Sequence, residues 1–425
     1  MHLILLAFFF LQDELPPLSR DAAAYYERAT AEPQPEFRAW MLLELARSEH
    51  VTEQRWKVRW LEEAWRAALE SRTPVRLVRA PDIPADTREH FIARAHEARL
   101  DKLSLQSAVI ESMTPLNPAR ARDMYADALP LVIPPSACAD ALVPEPGPLY
   151  EALAVLLAKG FTPAERKEGR PADLLRRTLA SATSILQLPP IAQAIAAAPW
   201  TERDLPLVLS EWAAAFDRVN ADPRQYDHVV TPLRAARESL NKLAASAGLN
   251  SDVVFRPLEA LRERSRKIVP CESPATISAL SATTAPADRE KLRAKPHEFW
   301  RSNKAKEIFQ QAQALVYDEA RNLIRPEAKT TAEWLARVSN FRTAFDGWTA
   351  SGEESEEDYY QQRAVILQLL YDIEADPQAK ESARQALVHF ILSHPLRRTK
   401  PMEWLYPLQR ISSTELVLPR FEPRS

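Results

Sequence analysis

Glycine is nearly missing from this chain: 6 residues in 425, where average usage of about 7% would place roughly 30. Glycine supplies the positive φ of hairpin turns, phosphate-cradling loops and sheet bulges, so a chain this poor in it builds few of them. Proline is enriched instead, with 35 residues against the roughly 20 that a usual share of ~5% would give. The prolines stand mainly between apolar-periodic segments. A residue with no N–H, whose ring clashes with the preceding turn, opens helices and follows their ends. The expectation is a chain of helices punctuated by proline-rich loops.

Apolar phase names the buried faces. From Thr52 to Ser71, Trp56, Trp60, Leu61, Ala64, Trp65, Ala68 and Leu69 share one stripe, while Arg55, Arg59, Glu62, Glu63 and Arg66 fall off it; this is an amphipathic helix. Leu205, Leu209, Trp212, Phe216 and Val219 step by fours and threes, as do Leu233, Ala236, Leu240, Leu243 and Ala247. Such spacing suits antiparallel neighbours packed along their length. Tyr359 to Tyr371 and Ala383 to Ile391, parted by Asp376-Pro377, read as a helical hairpin. Helix starts are legible too, because a cap oxygen and a carboxylate three residues on satisfy donors that the first turn leaves free. Asp86 with Glu89, Thr162 with Glu165, Thr201 with Asp204 and Thr330 with Glu333 have that spacing. Asn117-Pro118, Asp222-Pro223 and Asp376-Pro377 form a second set of starts.

The segment from Leu105 to Leu129, two helices joined by TPLNP, looks like one unit of a helical solenoid, yet the starts at Pro118, Pro223 and Pro377 share no fixed period. The expected fold is therefore an all-α multi-helix array, either an irregular α-solenoid or tandem helical bundles. Two proline-rich loops, Pro130 to Pro148 and Pro270 to Lys295, divide it. The resulting organisation is an apolar N-terminal segment over 1–18, helical regions over 19–140 and 141–285, and a C-terminal helical region with an extended tail over 286–425.

Leu3 to Leu11, LILLAFFFL, is an unbroken apolar run of signal-peptide length followed at once by Gln12, Asp13 and Glu14. It is too short for the ~20 residues that span a bilayer. The chain is expected to be exported, to the periplasm or beyond the cell, with no membrane span in its mature part. Cys138 and Cys271 are its two cysteines, and an even count in an exported chain points to a bridge between them, with two unlinked thiols as the alternative.

A net charge of −3, spread without a dominant block, gives no long-range attraction to nucleic acid or anionic lipid. The densest basic run, Arg262 to Lys267, reads as a solvated helix end. Ser239 and Lys242 have S-x-x-K spacing, but no S-D-N or K-T-G partner accompanies them. His90 with His96, and His389 with His394, lack the four-residue spacing of a two-His helical zinc site. With Glu89 and Glu97 beside them, the first pair reads as solvated ion pairs. The acidic run from Glu353 to Asp358 reads as charge complementing a helix N-terminus. The Trp56, Trp60 and Trp65 cluster reads as core rather than as a carbohydrate cleft.

No residue is singled out as catalytic, cofactor-binding or metal-ligating, and no cofactor is expected. The expected function is that of an exported, non-enzymatic scaffold presenting a helical surface to another protein or a cell-envelope component. The alternative is an all-α hydrolase or lyase acting on a polysaccharide or envelope substrate, its carboxylates drawn from distant helices.

Overall fold

Short polar side chains and prolines open the helices of this structure, a computed structural model. It describes residues 15–84, 87–220, 222–249, 271 and 298–393, except 319, 321, 325–328, 330, 351 and 375. The run from Leu3 to Leu11, the basic run from Arg262 to Lys267, His394 and the C-terminal tail lie outside the described residues, as does the second proline-rich loop apart from Cys271.

Among the described residues the chain is all-α, with one two-stranded ribbon. In order come α1 (Arg20–Ala31), α2 (Pro35–Arg47), α3 (Gln54–Leu69), β1 (Leu77–Arg79), α4 (Arg88–His96), α5 (Lys102–Met113) and α6 (Pro118–Asp127). There follow β2 (Leu142–Pro144), α7 (Gly147–Lys159), α8 (Pro163–Lys167), α9 (Arg170–Ser181), a 3-10 turn (Ile185–Gln187), α10 (Leu188–Ala197), α11 (Asp204–Ala215) and α12 (Pro223–Ser246). The C-terminal part holds α13 (Asn303–Gln313), α14 (Ala332–Asp346), α15 (Glu356–Ile373) and α16 (Pro377–Ser393).

The capping chemistry is in place. Thr162 and Glu165 form a full capping box at α8, each satisfying the other's backbone N–H. Asn117, Asp222 and Asp376 each accept the N–H three residues on, at 3.1, 2.8 and 2.7 Å. Thr201 accepts the Asp204 N–H at 3.1 Å. Two starts differ by one residue from the sequence reading. Thr87 caps α4 and Thr331 caps α14, where Asp86 and Thr330 were expected; both of those lie outside the described residues.

Helices α2, α3, α5, α7, α10 and α12 pack each on the next, which makes the irregular array. Trp60 and Trp65 of α3 are buried as the stripe requires, and Trp56 is half-buried with its indole N–H donating to the Pro16 carbonyl at 2.8 Å. Off the stripe, Glu62 takes Arg120 and Glu63 takes the Tyr26 hydroxyl. Leu69 departs from the expectation: it is 48% exposed, at the last turn of its helix. A first core runs from α1 to α12 and also takes in Tyr360 and Leu387. A second gathers around Phe299, Trp334, Phe341 and Trp348. They meet at α4, where Phe91 lies 4.3 Å from the Phe299 ring and Arg88 pairs with Glu357. The acidic run therefore does more than complement a helix end. The hairpin of α15 and α16 is present.

The ribbon was not foreseen. β1 and β2 pair antiparallel, with Leu77 opposite Pro144 and Arg79 opposite Leu142, and so join chain on both sides of position 140.

The Sγ atoms of Cys138 and Cys271 lie 2.09 Å apart, at disulfide distance, across 133 residues of sequence. The start of α12 holds both halves of this bridge. Arg224, 1% exposed, donates to the Cys138 carbonyl and pairs with Asp82 at 2.5 Å. Asp227 accepts a backbone N–H from Cys271. Asp222 accepts the Ser136 N–H at 2.8 Å, and the Gln225 amide donates to the Pro134 carbonyl at 2.9 Å. No described helix is long and apolar enough to cross a membrane. That, together with the disulfide, is compatible with an exported chain.

Candidate functional site

A pocket of about 360 Å³ opens between the β2–α7 junction, α10 and α12, within the usual size range of small-ligand sites. Its position follows from the array. Helices α7, α10 and α12 pack in succession, and prolines from the β2–α7 junction, α10 and α12 line the space between.

The β2–α7 wall is built by the ribbon. The Glu145 N–H donates to the Arg76 carbonyl at 3.0 Å, extending the ladder by one bond, and the same register sets the Glu145 carboxylate against the Arg76 guanidinium. That carboxylate also sits over Gly147, the first residue of α7: a Cβ there would lie 2.3 Å from Glu145 Oε1. Helix α7 has no side-chain cap from Pro146, so Glu145 brings negative charge to an otherwise uncapped N-terminus.

The floor is mostly apolar, from Leu186, Pro189 and Ala194, with Tyr150 at its base. The Tyr150 hydroxyl accepts the Gln187 amide N–H at 2.8 Å. Gln187 also takes the Thr183 and Ser184 N–H groups, and the Ser184 hydroxyl donates to Gln225. This buried network ties α7 and α10 to the start of α12. Burial pushes the Tyr150 hydroxyl well above its usual pKa, so it stays protonated.

The α12 wall carries His228, Val229 and Pro232. Burial and, secondarily, Arg224 hold the His228 imidazole below its ordinary pKa, and its buried Nδ1 has no hydrogen-bond partner. Pro232 lies inside the helix and lacks the N–H that would otherwise take the His228 carbonyl four residues earlier.

At the mouth stand Glu151, Gln193 and Ala197, all exposed. Arg99 forks the Glu151 carboxylate at 2.8 and 3.3 Å. It does so from a left-handed backbone, φ 56, which costs a non-glycine residue roughly 1–2 kcal/mol.

Of the residues read from the sequence, Ser239 donates to the Ala235 carbonyl from an exposed position on α12. His96 corrects the expectation of a solvated ion pair: it is 4% exposed, and burial with Arg76 nearby lowers its pKa to about 4. The α4 helix points its last turn into the core, and the neighbouring Glu97 pairs with Arg94 instead. His90 is also lowered, by burial and then by Arg79 and Arg94. Among the described residues no group of three His, Cys, Asp or Glu is placed to hold a metal ion. Sequence reading singled out none of the pocket residues. The one available signal was Pro232 inside a helical pattern, four residues after a histidine.

No known protein family matches the chain, and no characterised protein or solved structure is similar to it.

Proposed function

We propose that the protein is a non-enzymatic binding protein, exported to the periplasm or beyond the cell, that holds another protein or a cell-envelope component at the pocket between α7, α10 and α12. The reading rests on one observation. The pocket is apolar at its floor, and each of its two carboxylates is engaged by an arginine, Glu145 by Arg76 and Glu151 by Arg99. A glycoside hydrolase working by two carboxyl groups needs one free to give a proton and another to assist attack. Here each carboxylate is paired with an arginine side chain, and apolar surface with a few polar atoms is the usual composition of a site that binds and releases.

The test is site-specific photo-crosslinking in the native host. A benzophenone side chain replaces Gln193 at the mouth, or Arg28 on the exposed face of α1 as the control. The expected result is a discrete adduct from position 193 that the Ala197→Trp variant, which covers the mouth, removes. Equal capture from both positions, or an adduct indifferent to Ala197→Trp, overturns the reading. So does turnover of an envelope polysaccharide that is lost in Glu145→Gln and Glu151→Gln.

A further inference from the structure

The lining of the pocket is rich in prolines, and its side-chain donors, Tyr150, Gln193 and His228, carry no charge. Pro144, Pro146, Pro189, Pro190 and Pro232 all line it, and a proline has no backbone N–H to donate. The N-termini of α7 and α10 both open there, and helix N-termini ordinarily present N–H groups to anions. In α10, however, Pro189 and Pro190 occupy the second and third positions, and in α7 the second position is Pro148. The α7 end is in addition already covered by the Glu145 carboxylate. On the opposite wall, Pro232 withdraws the donor of the His228 carbonyl. The ionised side chains in the lining are Glu145 and Glu151; Arg76 and Arg99 reach them from outside it. A cation entering at the mouth would meet the Glu151 carboxylate, while an anion would meet no cationic side chain among the lining residues.

We propose that the pocket selects a ligand bearing an ammonium or guanidinium group on an aliphatic stem, with the cation at Glu151 and the stem against Leu186, Pro189 and Ala194. This rests on the pocket being the binding site. Glu151 has the capacity: a carboxylate offers roughly four lone-pair directions, of which Arg99 takes two, and the side chain is 48% exposed. The apolar floor recognises the stem. With no cationic side chain among the lining residues, a carboxylate or phosphate of the same length is disfavoured. Arg99 is then an internal rival for Glu151, a cation of this chain already resting where the ligand's cation goes. The ligand's source is either a lysine or arginine side chain of a partner protein or a free aliphatic amine.

The experiment is calorimetric titration of the full chain with n-pentylammonium, n-pentanol and n-pentanoate, which share a stem, and with lysine blocked at both backbone ends. Pentylammonium should bind at least about tenfold more tightly than pentanol, the factor that a hydrogen bond to a charged group contributes, and pentanoate more weakly than either. Glu151→Gln should bring pentylammonium down to the level of pentanol. Arg99→Ala should tighten pentylammonium several-fold. Ala197→Trp should remove binding of all the probes, with folding checked by circular dichroism. Blocked lysine binding more tightly than pentylammonium assigns the site to a partner's side chain; the reverse order assigns it to a free amine. Equal affinity for pentylammonium and pentanol, both lost in Ala197→Trp, overturns the cation preference and leaves the pocket as a binding site. Weaker pentylammonium binding in Arg99→Ala overturns the rivalry, since Arg99 would then be holding Glu151 in place for the cation instead of competing with it. No binding of any probe, or binding indifferent to Ala197→Trp, overturns the ligand class, and the crosslink from position 193 then decides whether the pocket is the binding site.

Discussion

Replacing Arg224 by methionine is the most informative single perturbation of this fold. The stem volume is kept and the charge removed. The side chain is 1% exposed, pairs with Asp82 at 2.5 Å and donates to the Cys138 carbonyl. Breaking a buried ion pair from one side costs about 3–5 kcal/mol, because the remaining charge stays buried without its partner. The loss also carries a pH signature. The titratable groups facing Arg224 include Asp82, Asp222, Asp227 and His228. Asp222 and Asp227 already have pKa values raised by burial, with Arg224 opposing the rise. Without the guanidinium they rise further. A carboxyl group whose folded pKa lies above its unfolded one favours the native state at pH values below the unfolded pKa, and that contribution is lost as pH rises through the folded pKa. The deficit of Arg224→Met is therefore largest at neutral pH and shrinks on acidification. His228, relieved of Arg224, takes up its proton more readily in the folded state and moves the difference the same way. Guanidinium unfolding of both proteins under non-reducing conditions, followed by far-ultraviolet circular dichroism at pH 7 and pH 4.5, measures this. A deficit below about 1 kcal/mol, or one constant across pH, refutes the reasoning, since a pure packing defect has no reason to titrate.

His96 gives a second pH dependence, of opposite sense. Its folded pKa of about 4 lies below the ordinary 6.5, so the unfolded chain takes the proton first and stability falls as pH drops through that window, by about 3 kcal/mol in all. His96→Leu should lose less stability than the parent between pH 7 and pH 4; an identical loss would mean that His96 is not the group responsible. At the pocket, Gly147→Ala sets a methyl group against Glu145 Oε1 and should cost up to about 1 kcal/mol as the flexible carboxylate moves away and its pairing with Arg76 weakens. In a Glu145→Ala background the same change should be neutral or stabilising, and a thermal-melt double-mutant cycle with no coupling would sink the contact.

Local chemistry made the helices legible. A cap such as Thr162 with Glu165, or a stripe such as that of Trp60 and Trp65, lies within one helix and needs no knowledge of the rest of the chain. The one-residue error at α4 has the same origin: Asp86 and Thr87 are both good caps, and the sequence offers no means of choosing between neighbours. His96 was misread because α4 has little apolar contrast, so nothing in its own nine residues marks the face that tertiary packing buries. The ribbon escaped because three-residue strands carry too few alternations to register. The pocket was invisible for a different reason. Glu145, Pro189 and His228 are drawn from three separated stretches, and their relation exists only once α7, α10 and α12 are stacked.

The bridge between Cys138 and Cys271 spans 133 residues, and at roughly 5–20 residues per second the second cysteine is synthesised on the order of 10 s after the first. For that interval Cys138 is an unpaired thiol on a nascent chain, while α7 to α12 are still being made. With two cysteines in the chain, no scrambled internal pairing exists, and a wrong disulfide between protein cysteines is a link between two chains. Crowded synthesis thus favours dimers where dilute synthesis favours the closed monomer. The whole of α12 and then Cys271 must emerge before Arg224, Asp227 and the bridge can lock the loop in place.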